Sequence, residues 1–299
     1  MSFRGTNAHL SARTAVRIAL VGVVVLATRP EVLHSQSGDE WRAPGWVGDA
    51  TFLSLNALTS GLSAATLQWI CGGSFADGFT RGAAGGAVHY AGMRLSARKF
   101  DGAGILGRQV SATGISIVRN ASDGRASLDR LLFPVGPVHL HVERSEGFVV
   151  RPKVNVAAFV ALAIAARQPE LRLDLSQSLS AGAPVFFAPG RKVVSDGKER
   201  NGYELAGSII LSDLQSPDLR SRVLAHERIH VLQGDWRFNV WNDPPESWAL
   251  GHLPGGSTIY RFVDIDATVS WIPQGLYELF DVPQRHRLPE IEAEFLENR

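Results

Sequence analysis

The sequence predicts an α+β fold, with a helical N-terminal half giving way to a β-rich segment and a sharply bounded helix. Three observations carry this. Two stretches lack Asp, Glu, Lys and Arg: Thr51 to Ala76, rich in Leu, Ala, Ser, Thr and Gly, and Gly82 to Met93. Between Leu131 and Asp213, apolar and polar residues alternate in Val138-His139-Leu140-His141-Val142 and in Leu171-Arg172-Leu173-Asp174-Leu175, the pattern of half-buried strands. Finally, Ser216-Pro217-Asp218 supplies an N-cap, a first-turn proline and a charge that suits the positive helix end.

From the N-terminus, Arg4, Arg13 and Arg17 lead into the uncharged run Ile18 to Thr28, followed by Arg29-Pro30. That run, roughly a dozen residues, is too short to span a bilayer but suits an export signal. We therefore expect residues 1–35 to be a signal peptide or short anchor, and the chain to be exported to the periplasm or cell envelope. Residues 48–130 form the Gly/Ala-rich region. Within it Gly78, Gly82 and Gly86 recur every four residues, a glycine zipper that lets another helix backbone approach closely. Residues 51–95 are accordingly a candidate for membrane association, or else a soluble helical pair packed through small residues.

Residues 131–299 form the second region. Ala157 to Arg167 is Ala-rich and free of turn residues, hence helical, and Tyr203 to Leu211 reads as one strand. The helix opened by Ser216 should run to about Gly234, where glycine can stop it. Further helices are expected over 266–280 and after Pro289.

Composition excludes several function classes. With 30 basic against 29 acidic residues, no overall field attracts nucleic acid. Cys71 is the only cysteine, so an internal disulfide and a Cys-based metal site are impossible. In its apolar surroundings it is expected to be a small buried hydrophobe. Gly102-Ala103-Gly104-Ile105-Leu106-Gly107 matches a dinucleotide fingerprint in letters, but no buried strand precedes it. Asn120-Ala121-Ser122 is a glycosylation triplet of the kind that arises often by chance. His139 and His141 share one strand face and could bind metal, yet no third ligand is evident near them in sequence.

The chemistry lies at His226-Glu227-Arg228-Ile229-His230. Residues four apart project from one helix face, so His226 and His230 can grip one Zn2+ ion. Glu227, beside the first ligand, is placed to take a proton from water polarised by that ion. The pattern arises by chance roughly once in a hundred chains of this composition. Ala225, Ile229 and Leu232 form a separate apolar stripe for the core. A third ligand must come from elsewhere; a His six residues after His230 is excluded, since Trp236 stands there. Glu246, Asp264, Asp266, Glu278, Glu290 and Glu292 are the candidates. Glu290 is favoured, with Glu294 one turn later holding the distal nitrogen of a ligand histidine.

HERIH (226–230) and EIEAE (290–294) together resemble the gluzincin metallopeptidases, the second motif in the form of the CAAX prenyl protease family. HERIHVLQ (226–233) is also similar to a group of uncharacterised bacterial peptidase-like proteins. The resemblance covers about the last third of the chain. It implies a zincin-like domain whose sheet flanks an active-site helix, with His226, His230 and Glu290 as zinc ligands and Glu227 as base. Glu294 departs from the Asp usual there, and the family's multi-span membrane body is absent. A peptide or protein substrate would pair along the strand before the helix, and His252, Tyr260, Tyr277 or His286 could stabilise an oxyanion. The alternative is a non-enzymatic envelope protein with a structural or vestigial metal site. Trp236, Phe238, Trp241 and Trp248 are expected to pack the following loop over the helix.

Overall fold

The computed structural model describes residues 45–298, apart from 146, 196–197, 243–251 and 265–286. The leader over 1–35 and the helix expected over 266–280 lie outside the described residues, as do Glu246, Asp266, Glu278, Tyr277, His286 and Trp248. The fold is α+β.

Three long helices come first: α1 (Gly45–Ile70), α2 (Phe75–Ser96) and α3 (Ala103–Ser122). The Ser74 hydroxyl caps α2 by accepting from the Asp77 N–H, and Gly102 starts α3 in a left-handed conformation (φ 84°). The glycines of α2 serve helix packing on two sides. A Cβ on Gly82 would stand 2.6 Å from the Ala64 Cβ and 2.7 Å from the Ser60 carbonyl of α1. On the other face, a Cβ on Gly92 would meet the Ser111 nitrogen of α3 at 2.4 Å. Only a residue without a side chain lets α2 lie between both neighbours at this distance. Among the described residues, no helix is long and apolar enough to cross a membrane. Cys71 ends α1 in a turn and is exposed, contrary to the buried position expected from its apolar neighbours.

Two four-stranded sheets follow. The first contains β1 (Arg130–Val135), β2 (Val138–Glu143), β3 (Val149–Asn155) and, parallel to β3, the two-residue β10 (Val263–Asp264). Helix α4 (Val156–Arg167) leaves β3 through an Asn155 side-chain cap. The second sheet has the order β4 (Arg172–Leu173), β5 (Val185–Ala188), β9 (Ser208–Ser212), β8 (Gly202–Leu205), with β5 and β9 parallel. Two strand expectations are corrected. The alternating stretch 171–175 yields only β4, because the Asp174 carboxylate caps a new helix, α5 (Leu175–Ala181), by accepting from the Gln177 N–H. The single strand expected over 203–211 is the hairpin β8–β9, turning at Ala206 and Gly207, both at positive φ. A small hairpin, β6 (Val193–Ser195) and β7 (Lys198–Arg200), lies between β5 and β8.

Helix α6 (Pro217–Arg237) carries HERIH, and its Ser216 side chain accepts from the Leu219 N–H. It passes through Gly234 and continues into a π-helical turn, 238–242, so Gly234 is not its stop. One face of α6, through Leu224 and Val231, packs on Val185, Ile209 and Leu211 of the second sheet. The opposite face, through Ile229 and Leu232, packs against Phe52, Tyr90 and Met93 of α1 and α2 and against Ala293 and Leu296 of α8 (Leu288–Glu297). The metal-type helix is thereby clamped between sheet and helices. A short helix α7 (Gly256–Tyr260) precedes β10.

Candidate metal centre

The two-sided burial of α6 leaves one strip for the imidazoles. His226 and His230 point together, with ring centroids 4.7 Å apart and Nε2 to Nε2 at 3.0 Å. Helix α8 brings its first turn against them. Glu290 Oε2 lies 3.4 Å from the Nε2 atom of each histidine. The three donor atoms form a cluster that could hold a metal ion. Their side chains are 20%, 16% and 23% exposed, so none of the three is fully buried.

The distal nitrogens are held separately. His226 Nδ1 is 2.8 Å from Glu297 Oε2, and His230 Nδ1 is 2.9 Å from Gln233 Oε1. With the Nδ1–H donating in both rings, Nε2 is the atom each imidazole turns toward Glu290, and the one that would exchange its proton for a metal. Gln233 also locks the two helices together, since its amide donates to Glu292 at 2.9 Å and to the Pro289 carbonyl at 3.1 Å. Glu292 is buried, and also accepts from Asn56 of α1 at 2.6 Å. It is thus a brace, which removes it from the ligand candidates.

The role expected of Glu294 falls to Glu297. Glu294 is exposed, and the reason is angular. At ~100° per residue, position i+7 returns within ~20° of Glu290, whereas i+4 overshoots by ~40° on the other side. Glu297 therefore shares the α6-facing strip. The signal was available at the i+7 spacing; Gln233 was available three residues after His230.

Electrostatics at this point call for positive charge. Burial opposes charge on His226, but the Glu290 and Glu297 carboxylates outweigh it and hold the imidazole up at about 10. His230 is likewise held above its ordinary value, with burial opposing and Glu290 and Glu227 prevailing. Glu227 is 6% exposed, and burial pushes its carboxyl up to about 7 against the pull of His230 and His226. Glu204, on the edge strand β8, is also pushed up by burial. It accepts from the Gly207 N–H and acts on Glu227 through space. The β8–β9 hairpin thus approaches the base from the sheet side.

The other sequence candidates lie elsewhere. Asp264 belongs to the first sheet, beside His139 and His141. Of the oxyanion candidates, His252 is exposed and Tyr260 lies under the Lys153 ammonium, 3.6 Å from its ring centre. Trp236 and Trp241 pack on α1 and α3 residues and hydrogen-bond the Ser60 and Ser63 hydroxyls, so they brace the helical layer rather than a loop over α6.

What the fold and site define is an α+β protein with a half-open His-His-Glu cluster on a helix backed by a sheet. Comparison with protein-family models, with curated proteins and with solved structures returned no match.

Proposed function

We propose that this chain is a zinc-dependent peptidase of gluzincin type, exported and working in the cell envelope. The observation that carries the proposal is the convergence of His226 Nε2, His230 Nε2 and Glu290 Oε2, within 3.0–3.4 Å of one another, beside the buried Glu227. Two imidazole nitrogens and one carboxylate oxygen are a donor set suited to Zn2+. The bracing of both Nδ1 atoms fits such an ion. His226, His230 and Glu290 would hold it, and when bound it would acidify water and polarise the substrate carbonyl.

The chain's own residues do the rest. Glu227, one residue from a ligand and coupled electrostatically to both histidines, would take the proton of the attacking water and return it to the departing amine. Strand β8 is an edge of its sheet, so an extended peptide can add to it through backbone hydrogen bonds and reach the cleft in a defined orientation. The three ligand side chains are only partly buried, which is compatible with an open fourth position for water. Export rests on the basic and apolar pattern of residues 1–35.

Glu227→Gln decides the matter. The variant should keep its zinc, measured by elemental analysis, and lose peptide hydrolysis by ~10²–10⁴-fold. Hydrolysis unchanged in a zinc-loaded Glu227→Gln protein would reject the assignment.

A further inference from the structure

A second set of metal-type donors lies in the first sheet, away from α8. His139 and His141 project inward from β2, and β10, pairing parallel to β3, brings Asp264 to them. Asp264 Oδ2 is 3.2 Å from His139 Nδ1 and 3.7 Å from His141 Nε2. All three residues are buried, with His139 2%, His141 3% and Asp264 6% exposed. The three donor atoms lie within 4.8 Å of one another.

The independent observation is His141 Nε2. It is buried without a hydrogen-bond partner, its approach to Asp264 being too long for one. A buried polar atom left unsatisfied is destabilising, and a ligand at the common focus of the three groups would give it a partner. Lys153 weighs against a cation, since its ammonium lies 3.0 Å from Asp264. It engages Oδ1, however, leaving Oδ2 toward the histidines, and its charge also rests on the Tyr260 ring face. The backbone offers a reason for such a cross-link. Strand β10 is two residues long, too little pairing to fix it by itself.

We propose that His139, His141 and Asp264 bind a second divalent transition-metal ion of the Zn2+ class, a structural ion that pins β10 to β2. The closed surroundings suit a structural rather than a hydrolytic role, and Lys153 should make this site weaker than the His226 centre.

Co2+ uptake by the full-length chain tests this, with bound metal counted by elemental analysis and the coordination read from visible ligand-field bands. In the His226→Gln/His230→Gln protein, one equivalent of Co2+ should remain, with bands of nitrogen and oxygen ligation. Adding His141→Gln should weaken its binding tenfold or more, and His139→Gln should do the same. No Co2+ uptake by His226→Gln/His230→Gln protein that retains its far-ultraviolet circular dichroism would overturn the proposal. So would uptake that His139→Gln and His141→Gln leave unaltered. Should the His226→Gln/His230→Gln protein not fold, wild type against His139→Gln/His141→Gln decides: loss of one equivalent in the variant supports the second site, and an unchanged count overturns it. Failure of the peptidase reading is separate, because it shows in the Glu227→Gln assay whatever the metal count.

Discussion

Asp235→Ala is the perturbation that most directly tests how α6 is held in place. Asp235 stands one turn beyond His230 and receives a two-point hydrogen bond from Arg108 of α3, at 2.8 and 3.0 Å. The side chains are 8% and 3% exposed, so neither charge is answered by water. Removing the carboxylate leaves a buried guanidinium that still donates to the Gly182 carbonyl but has lost its counter-charge. An uncompensated buried charge of this kind costs about 3–5 kcal/mol. At a urea dependence of ~1–3 kcal/mol per molar, the unfolding midpoint should fall by one to several molar. Urea unfolding of the full chain, followed by circular dichroism and tryptophan fluorescence, measures this. Arg108→Met strands the other charge and should cost a similar amount. The double variant Arg108→Met/Asp235→Leu strands neither and should lose clearly less than the two single losses added. A loss below about 1 kcal/mol in Asp235→Ala, or strict additivity in the double variant, would show that the pair does not hold α6 against α3.

Three further outcomes are expected. Glu297→Ala and Gln233→Ala each free one Nδ1 atom and should weaken zinc binding by ~10–100-fold, read by competition with a chromophoric chelator; affinities equal to wild type would reject the bracing role. Zinc must displace the proton that Glu290 and Glu297 keep on His226, whose folded value near 10 lies above neutrality. Affinity should therefore rise about tenfold per pH unit between pH 7 and 8, where an ordinary imidazole near 6.5 would already give a flat profile. Gly92→Leu forces a side chain into backbone atoms of α3 and should destabilise by ~1–3 kcal/mol or more, read by thermal melting against wild type; an unchanged melting temperature would reject the close helix approach.

What could be read from the sequence follows from how local each feature is. The α6 cap, the facing histidines and the neighbouring Glu227 all lie within one helix, where the ~3.6-residue period alone fixes geometry. Glu290 was legible only because a proline-opened helix with spaced carboxylates makes a recognisable partner. The glycine spacing correctly announced close helix contact, yet could not say whether the partner was protein or lipid; the Cβ conflicts with Ser60, Ala64 and Ser111 answer that for these positions. The hairpin over 202–212 was hidden because Ala206 turns at positive φ, a conformation that alanine rarely signals.

The first sheet shows the deeper limit. Alternation in β2 announces a strand but does not say which face is buried, and here the inward residues are the polar ones. His139, His141 and Glu143 are buried, while Val135, Val150 and Val154 of the same sheet are exposed at 58%, 56% and 37%. The inversion is tolerable because the inward charges are paired across strands: Glu143 with Arg130 and Arg151, and Asp264 with Lys153. Each pair joins two different strands, and Asp264 lies more than a hundred residues after the others, so no local pattern could announce the set. A sheet of this kind gains little from hydrophobic burial on its inner face and depends instead on every polar group finding its counterpart. That dependence makes an unanswered nitrogen at His141 Nε2 informative: it stands beside a carboxylate oxygen of Asp264, and a divalent ion between the two would supply the counterpart that the polypeptide does not.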